Sequence, residues 1–151
     1  MKYLSSRSQY TALLLAGLLY TFAHTAVAQE ADSAQQAAWI VLGDEAFVAE
    51  AYADAMASYQ LAAEAGNARA AYNLAVMAEN GLGMEANVPT AISWYTKAAL
   101  GEHAEAQYNL GNYMIGQEEQ SMQEQGIYWL GKAAQAGLIE AAYTLGYVYY
   151  T

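Results

Sequence analysis

A seven-residue pattern occurs three times in this chain at nearly constant spacing. Arg69-Ala70-Ala71-Tyr72-Asn73-Leu74-Ala75 is answered by Glu105-Ala106-Gln107-Tyr108-Asn109-Leu110-Gly111 and then by Glu140-Ala141-Ala142-Tyr143-Thr144-Leu145-Gly146, so the tyrosines stand 36 and 35 residues apart. A second pattern interlocks with the first. Trp94-Tyr95-Thr96-Lys97-Ala98-Ala99 returns 35 residues later as Trp129-Leu130-Gly131-Lys132-Ala133-Ala134, and each lysine precedes the next repeat tyrosine by eleven residues. Periods of this length mark repeat architectures, in which each unit buries its apolar face only by stacking on its neighbours.

Each unit reads as two helices. Tyr72, Leu74, Ala75 and Ala78 share one helical face, with small residues spaced for close helix approach. Asn80-Gly81-Leu82-Gly83 breaks that helix, because glycine supplies the positive-φ positions a C-cap or turn requires. Pro89 suits the first turn of the next helix, where its missing N–H costs nothing. Ala91, Trp94, Tyr95, Ala98 and Ala99 continue on a helical period until Gly101, and a similar cycle runs from His103 to Gly137. The expected fold class is all-α, an α-solenoid of helical hairpins with about seven helices in the mature chain.

In register, Gly81, Gly83, Ala91, Trp94, Tyr95, Lys97, Ala98 and Ala99 match the Sel-one-like repeat, which the chain resembles here. Met84, Asn87 and Thr90 replace that pattern's usual valine, aspartate and lysine. The following unit keeps Gly116, but Glu118 stands at the second loop glycine and the loop is one residue shorter. Upstream, Trp39, Leu42, Gly43, Tyr52, Ala55, Tyr59 and Ala62 are similar to the tetratricopeptide signature. These likenesses divide the mature chain into a short segment 29–35, a tetratricopeptide-like unit 36–67, a Sel-one-like unit 68–102, a degenerate one 103–138, and an unpaired terminal helix 139–151.

The resemblance implies a non-enzymatic scaffold for a protein or peptide partner. In tetratricopeptide-type superhelices the first helix of each unit lines the concave face. That register implies Arg69, Tyr72, Asn73, Val76 and Asn80 as binding residues, then Glu105, Tyr108, Asn109 and Asn112, and then Tyr143, Thr144 and Tyr147. Asn73 and Asn109 either pin the backbone of an extended peptide or cap and bridge within the groove through water, since asparagine inside a helix calls for some such reason. An alternative role is self-assembly. Tyr143, Leu145, Tyr147, Val148, Tyr149 and Tyr150 leave the last helix apolar all round, and a second copy of the chain would cover that edge.

The N-terminus reads as a segment removed on export. Lys2 and Arg7 are followed by a leucine-rich apolar stretch, Ala12 to Phe22, and by Ala26-Val27-Ala28, the small-x-small pattern of a cleavage site. Residues 1–28 are therefore expected to be a cleaved signal peptide, and the apolar stretch is short for a membrane span. The chain has no cysteine, which excludes a lipid-anchored cysteine, disulfides and thiolate metal sites. A bacterial periplasm, or else the secreted space, is the expected location. Cleavage leaves Arg69, Lys97 and Lys132 against all fifteen acids, a field that repels nucleic acid and anionic lipid; it reads first as the negative surface that keeps many exported proteins soluble, and it would also favour cationic partners.

Catalytic constellations are not evident. His103 is the one histidine beyond the signal segment and is expected as a surface or cap residue. No motif joins it to Ser58, Ser93 or Ser121 for nucleophilic catalysis. Gly81-Leu82-Gly83 follows a helix rather than a strand, so it reads as a turn and not a phosphate cradle. Glu118, Glu119 and Glu124 lack the alternating ligands of a calcium loop and read as solvated acids. No cofactor or metal is expected, and methionines 56, 77, 84, 114 and 122 are expected as gap-fillers. A third and less favoured alternative is binding or hydrolysis of a cell-wall-related ligand: some secreted relatives of this repeat class are linked to such ligands, but they are rich in cysteine, and this chain departs from them in having none.

Overall fold

The computed structural model describes residues 32–150. Contacts divide the chain into Met1–Ala37, of which only the helical residues 32–37 are described, and Ala38–Thr151, which holds the repeats. The expected signal peptide, residues 1–28, lies outside the described residues. Those residues form seven helices and no strand: α1 (32–48), α2 (Tyr52–Glu64), α3 (Ala68–Asn80), α4 (Val88–Leu100), α5 (Ala104–Ile115), α6 (Gln120–Gln135) and α7 (Ile139–Tyr150). From α2 onward each helix packs chiefly on its neighbours in sequence, which is the connectivity of an α-solenoid.

Local chemistry sets the helix ends. Asn67 caps α3 by accepting a hydrogen bond from the Ala70 N–H at 3.0 Å, and Asn87 caps α4 through the Thr90 N–H at 2.8 Å, with Pro89 in the first turn. Three turns between hairpins close identically. The N–H groups of Asn67, His103 and Leu138 reach back five residues to the carbonyls of Ala62, Ala98 and Ala133, at 2.9, 3.1 and 3.0 Å. That closure needs a left-handed residue just before each donor, and it is supplied by Gly66, Glu102 and Gly137. Within the units, Gly81 (φ 70°) and Gly83 (φ 78°) turn α3 into α4, whereas Gly116 (φ −76°) stays right-handed in the shorter, glycine-poor loop.

The core is built mostly of alanine. Ala55, Ala62, Ala70, Ala75, Ala91 and Ala98 are buried around larger groups such as Tyr59, Leu74, Met77 and Tyr95. At the α5–α6 crossing two glycines take the positions that Ala75 and Ala91 hold one unit earlier. A Cβ on Gly126 would fall 2.8 Å from the Gly111 carbonyl oxygen, and one on Gly111 would fall 2.8 Å from Leu130 Cγ. The backbones meet too closely there for any side chain.

The terminal helix α7 buries only Ala141, while Leu145 packs back against the small core around Leu130 and Ala133. Tyr143, Tyr147, Tyr149 and Tyr150 are exposed. No helix among the described residues is long and apolar enough to cross a membrane.

Candidate functional site: two clefts of one design

Two clefts open along α1, α3 and α5, one repeat apart. The first, about 260 Å³, lies among Asp44, Phe47, Tyr59, Arg69, Tyr72, Asn73 and Val76. The second, about 340 Å³, is walled by Glu79, Val88, Ile92, Tyr95, Asn109, Asn112 and Tyr113.

Each is organised by a buried tyrosine. In the first cleft the Tyr59 hydroxyl donates to Asp44 Oδ1 at 2.8 Å, and Asp44 Oδ2 pairs with the Arg69 guanidinium at 2.6 Å. Burial pushes the Tyr59 phenol up to about 12, helped by the hydrogen bond to Asp44 and its charge; a hydrogen bond from Asn73 and the charge of Arg69 act in the opposite sense. In the second cleft the Tyr95 hydroxyl donates to Glu79 Oε2 at 2.6 Å. Burial raises the Tyr95 pKa, and so does that bond, while a hydrogen bond from Asn109 lowers it. The correspondence follows the repeat: Tyr59 and Tyr95 are 36 residues apart, Asn73 and Asn109 are 36 apart, and Asp44 and Glu79 are 35 apart. At the third junction the register falls on Leu130, Met114 and Thr144, so no such relay forms.

Tyr72 joins the clefts. Its pKa is raised by burial and then by the charges of Glu105 and Glu79, with a hydrogen bond from Asn109 opposing. Its ring lies 5.9 Å from that of Tyr95. His103, the N-cap residue of α5, stacks on its face with a side chain only 18% exposed. The expectation of a cap position is met, but this histidine is a packing group as much as a surface one.

The structure gathers Arg69, Tyr72, Asn73 and Val76 in the first cleft and Asn109 and Asn112 in the second. Glu105 stands beside Tyr72, with Oε2 3.3 Å from His103 Nδ1. The other five are placed differently. Asn80 turns its amide back to the Val76 carbonyl, and Tyr108 packs against the Leu130 core. Thr144 donates to the Glu140 carbonyl, and Tyr143 and Tyr147 border a separate depression on α7. Four organising residues, Asp44, Tyr59, Glu79 and Tyr95, are absent from the register-based set. Their signal was the 36-residue interval between Tyr59 and Tyr95, hidden because the two segments resemble different repeat types.

Comparison with known proteins identifies the repeats. The model of the Sel1 repeat matches residues 68–103 and again 104–138. The chain carries Sel1 repeats. A crystal structure of a Sel1 repeat protein from Oxalobacter formigenes is similar at 32% sequence identity with a TM-score of 0.58, over 63% of this chain and 38% of that one. This chain thus spans well under two thirds of that relative's length. Sel1 repeats are typically protein–protein interaction scaffolds, and the α-solenoid described above is the matching architecture.

Proposed function

We propose that this Sel1-repeat chain is an exported, non-enzymatic scaffold that binds a protein or peptide along the face formed by α1, α3 and α5, taken as the concave face of the superhelix. The observation that carries this reading is the pair of clefts in repeat register. In each, an asparagine and a carboxylate are fixed by a buried tyrosine hydroxyl beside an apolar wall. Polar groups held in place before binding lose little entropy on contact, which favours recognition. Export rests on Lys2, Arg7, the apolar stretch and Ala26-Val27-Ala28.

Two measurements test it. N-terminal sequencing of protein recovered by osmotic shock should begin at Gln29, and an intact Met1 there would remove the export reading. Affinity capture from a periplasmic extract should retain a partner that the Val76→Arg/Asn112→Arg variant, which fills both clefts, loses without any change in helical content. Undiminished capture by that variant would remove the clefts from the account.

A second reading has its own observation. Tyr143, Tyr147 and Tyr150 surround a depression of about 440 Å³ on the outer side of α7, a surface suited to a second copy. Sedimentation of the chain and of Tyr147→Glu separates the two readings. A monomer at every concentration eliminates self-assembly.

A further inference from the structure

The two clefts share a plan and differ at one decisive position. In the first, the Asp44 carboxylate is engaged on both oxygens, by the Tyr59 hydroxyl on Oδ1 and by the Arg69 guanidinium on Oδ2. In the second, Glu79 receives the Tyr95 hydroxyl on Oε2, and the residue 36 positions after Arg69 is Glu105. Where one unit supplies a cation, the next supplies a second acid. Among the described residues Glu79 has no ion-pair partner, and Lys97, the lysine of α4, lies instead over the Trp94 ring at 5.2 Å. The charges of Glu79 and Glu105 both act on Tyr72, and Glu105 also lies 3.3 Å from His103 Nδ1.

The first cleft therefore displays, within the same molecule, the group that completes this design. We propose that the second cleft takes an arginine side chain of the partner, its guanidinium bound to Glu79 in the role that Arg69 plays towards Asp44. This rests on the binding reading above and names the chemistry of what binds. The rest of the cleft fits the same side chain. Val88 and Ile92 offer an apolar wall to the methylene stem, and the exposed Tyr113 offers a ring face to the planar guanidinium. The amide of Asn109 is turned to tyrosine hydroxyls, which leaves its carbonyl oxygen to accept another guanidinium N–H, as Asn112 can. A planar fork of five donors uses these acceptors together, whereas an ammonium reaches the carboxylate alone. The net charge of −10 draws cationic partners towards the face before contact.

The probes are N-acetyl-argininamide, N-acetyl-lysinamide and the neutral isostere N-acetyl-citrullinamide, titrated at low salt into the full chain. The readout is the side-chain amide resonances of Asn109 and Asn112. The arginine probe should give saturable shifts in the millimolar range, at least fivefold tighter than lysine, with none from citrulline. Glu79→Gln keeps an acceptor for the Tyr95 hydroxyl and so keeps the fold, and it should weaken arginine binding about tenfold. Glu105→Arg recreates the arrangement of the first cleft and should block the probe from inside. Citrulline binding as well as arginine, Glu79→Gln binding as tightly as the parent, or no saturable shift with arginine each overturns the assignment. If a captured partner is lost with Val76→Arg/Asn112→Arg but bound equally by Glu79→Gln, the groove reading stands and the arginine assignment falls.

Discussion

The imidazole of His103 lies nearly flat on the ring of Tyr72, with centroids 4.5 Å apart and planes 16° from parallel. Burial lowers the His103 pKa, the Glu105 carboxylate partly offsets this, and the Arg69 charge adds to it. A histidine whose pKa is depressed on folding binds protons more readily when unfolded. Its contribution to stability is complete above the unfolded value of about 6.5 and is lost as pH falls through that value towards the folded one. Melting temperatures between pH 7.5 and 5.5 should therefore fall with pH. His103→Asn, which places at this cap the residue found at position 67, should flatten that slope; an unchanged slope would mean that other groups carry it.

The tyrosines of the two relays make the complementary prediction in alkali. A phenol raised on folding contributes stability that is present below about pH 10 and is lost as pH rises towards the folded value, about 12 for Tyr59. The phenolate absorbance of Tyr59 and Tyr95 should appear late in an alkaline titration, together with loss of helical dichroism. Tyr59→Phe and Tyr95→Phe should each diminish that late absorbance and cost about 1–2 kcal/mol, since a buried hydroxyl bond is lost and its carboxylate loses a partner. Tyr128→Phe, at an exposed position, should change neither.

Glycine-to-alanine changes in the α5–α6 hairpin should have opposite signs. At Gly111 the new methyl would meet Leu130 Cγ at 2.8 Å and the Gly126 carbonyl oxygen at 3.0 Å, so Gly111→Ala should destabilise by about 1–3 kcal/mol. At Gly131, inside α6, nothing lies within 4 Å of the added atom. Gly131→Ala should stabilise by about 0.5–1 kcal/mol through helix propensity alone. Urea melts of the two variants settle the comparison.

Arg69→Ala removes a pair that is largely solvent-exposed, with side chains 56% and 36% accessible. It should cost less than about 1 kcal/mol. It also gives Asp44 the unpaired state of Glu79, so the arginine probe should gain a second site, seen as new shifts at the Asn73 amide. A stability loss well beyond that value would show that Arg69 braces the fold instead of guarding a cleft.

Much of this architecture could be read before any coordinates. Tyr72, Tyr108 and Tyr143 carry the period, and Pro89 and the Gly81–Gly83 turn mark the boundary within a unit, because these signals are local. Asparagine inside α3 and α5 marks these positions in the sequence, but the amides of Asn73 and Asn109 turn to tyrosine hydroxyls of the neighbouring hairpin. Which carboxylate a buried hydroxyl meets depends on how the two helices of a hairpin cross, and spacing along one helix does not encode that crossing. The third set, Tyr143, Thr144 and Tyr147, did not join the clefts for a related reason. At their junction Leu130 occupies the tyrosine position, and nothing organises a polar pocket around it.

That substitution also governs how the array can flex. The bonds from the Asn73 and Asn109 amides to the Tyr59 and Tyr95 hydroxyls cross the first two junctions, and being directional they fix the rotation of one hairpin on the next. The contact of Leu130 with Leu145 and its neighbours is apolar and tolerates small rotations at little cost. The solenoid is accordingly torsionally stiff through α5 and compliant at α7, so its curvature is set near the clefts and left adjustable at the tyrosine-rich end.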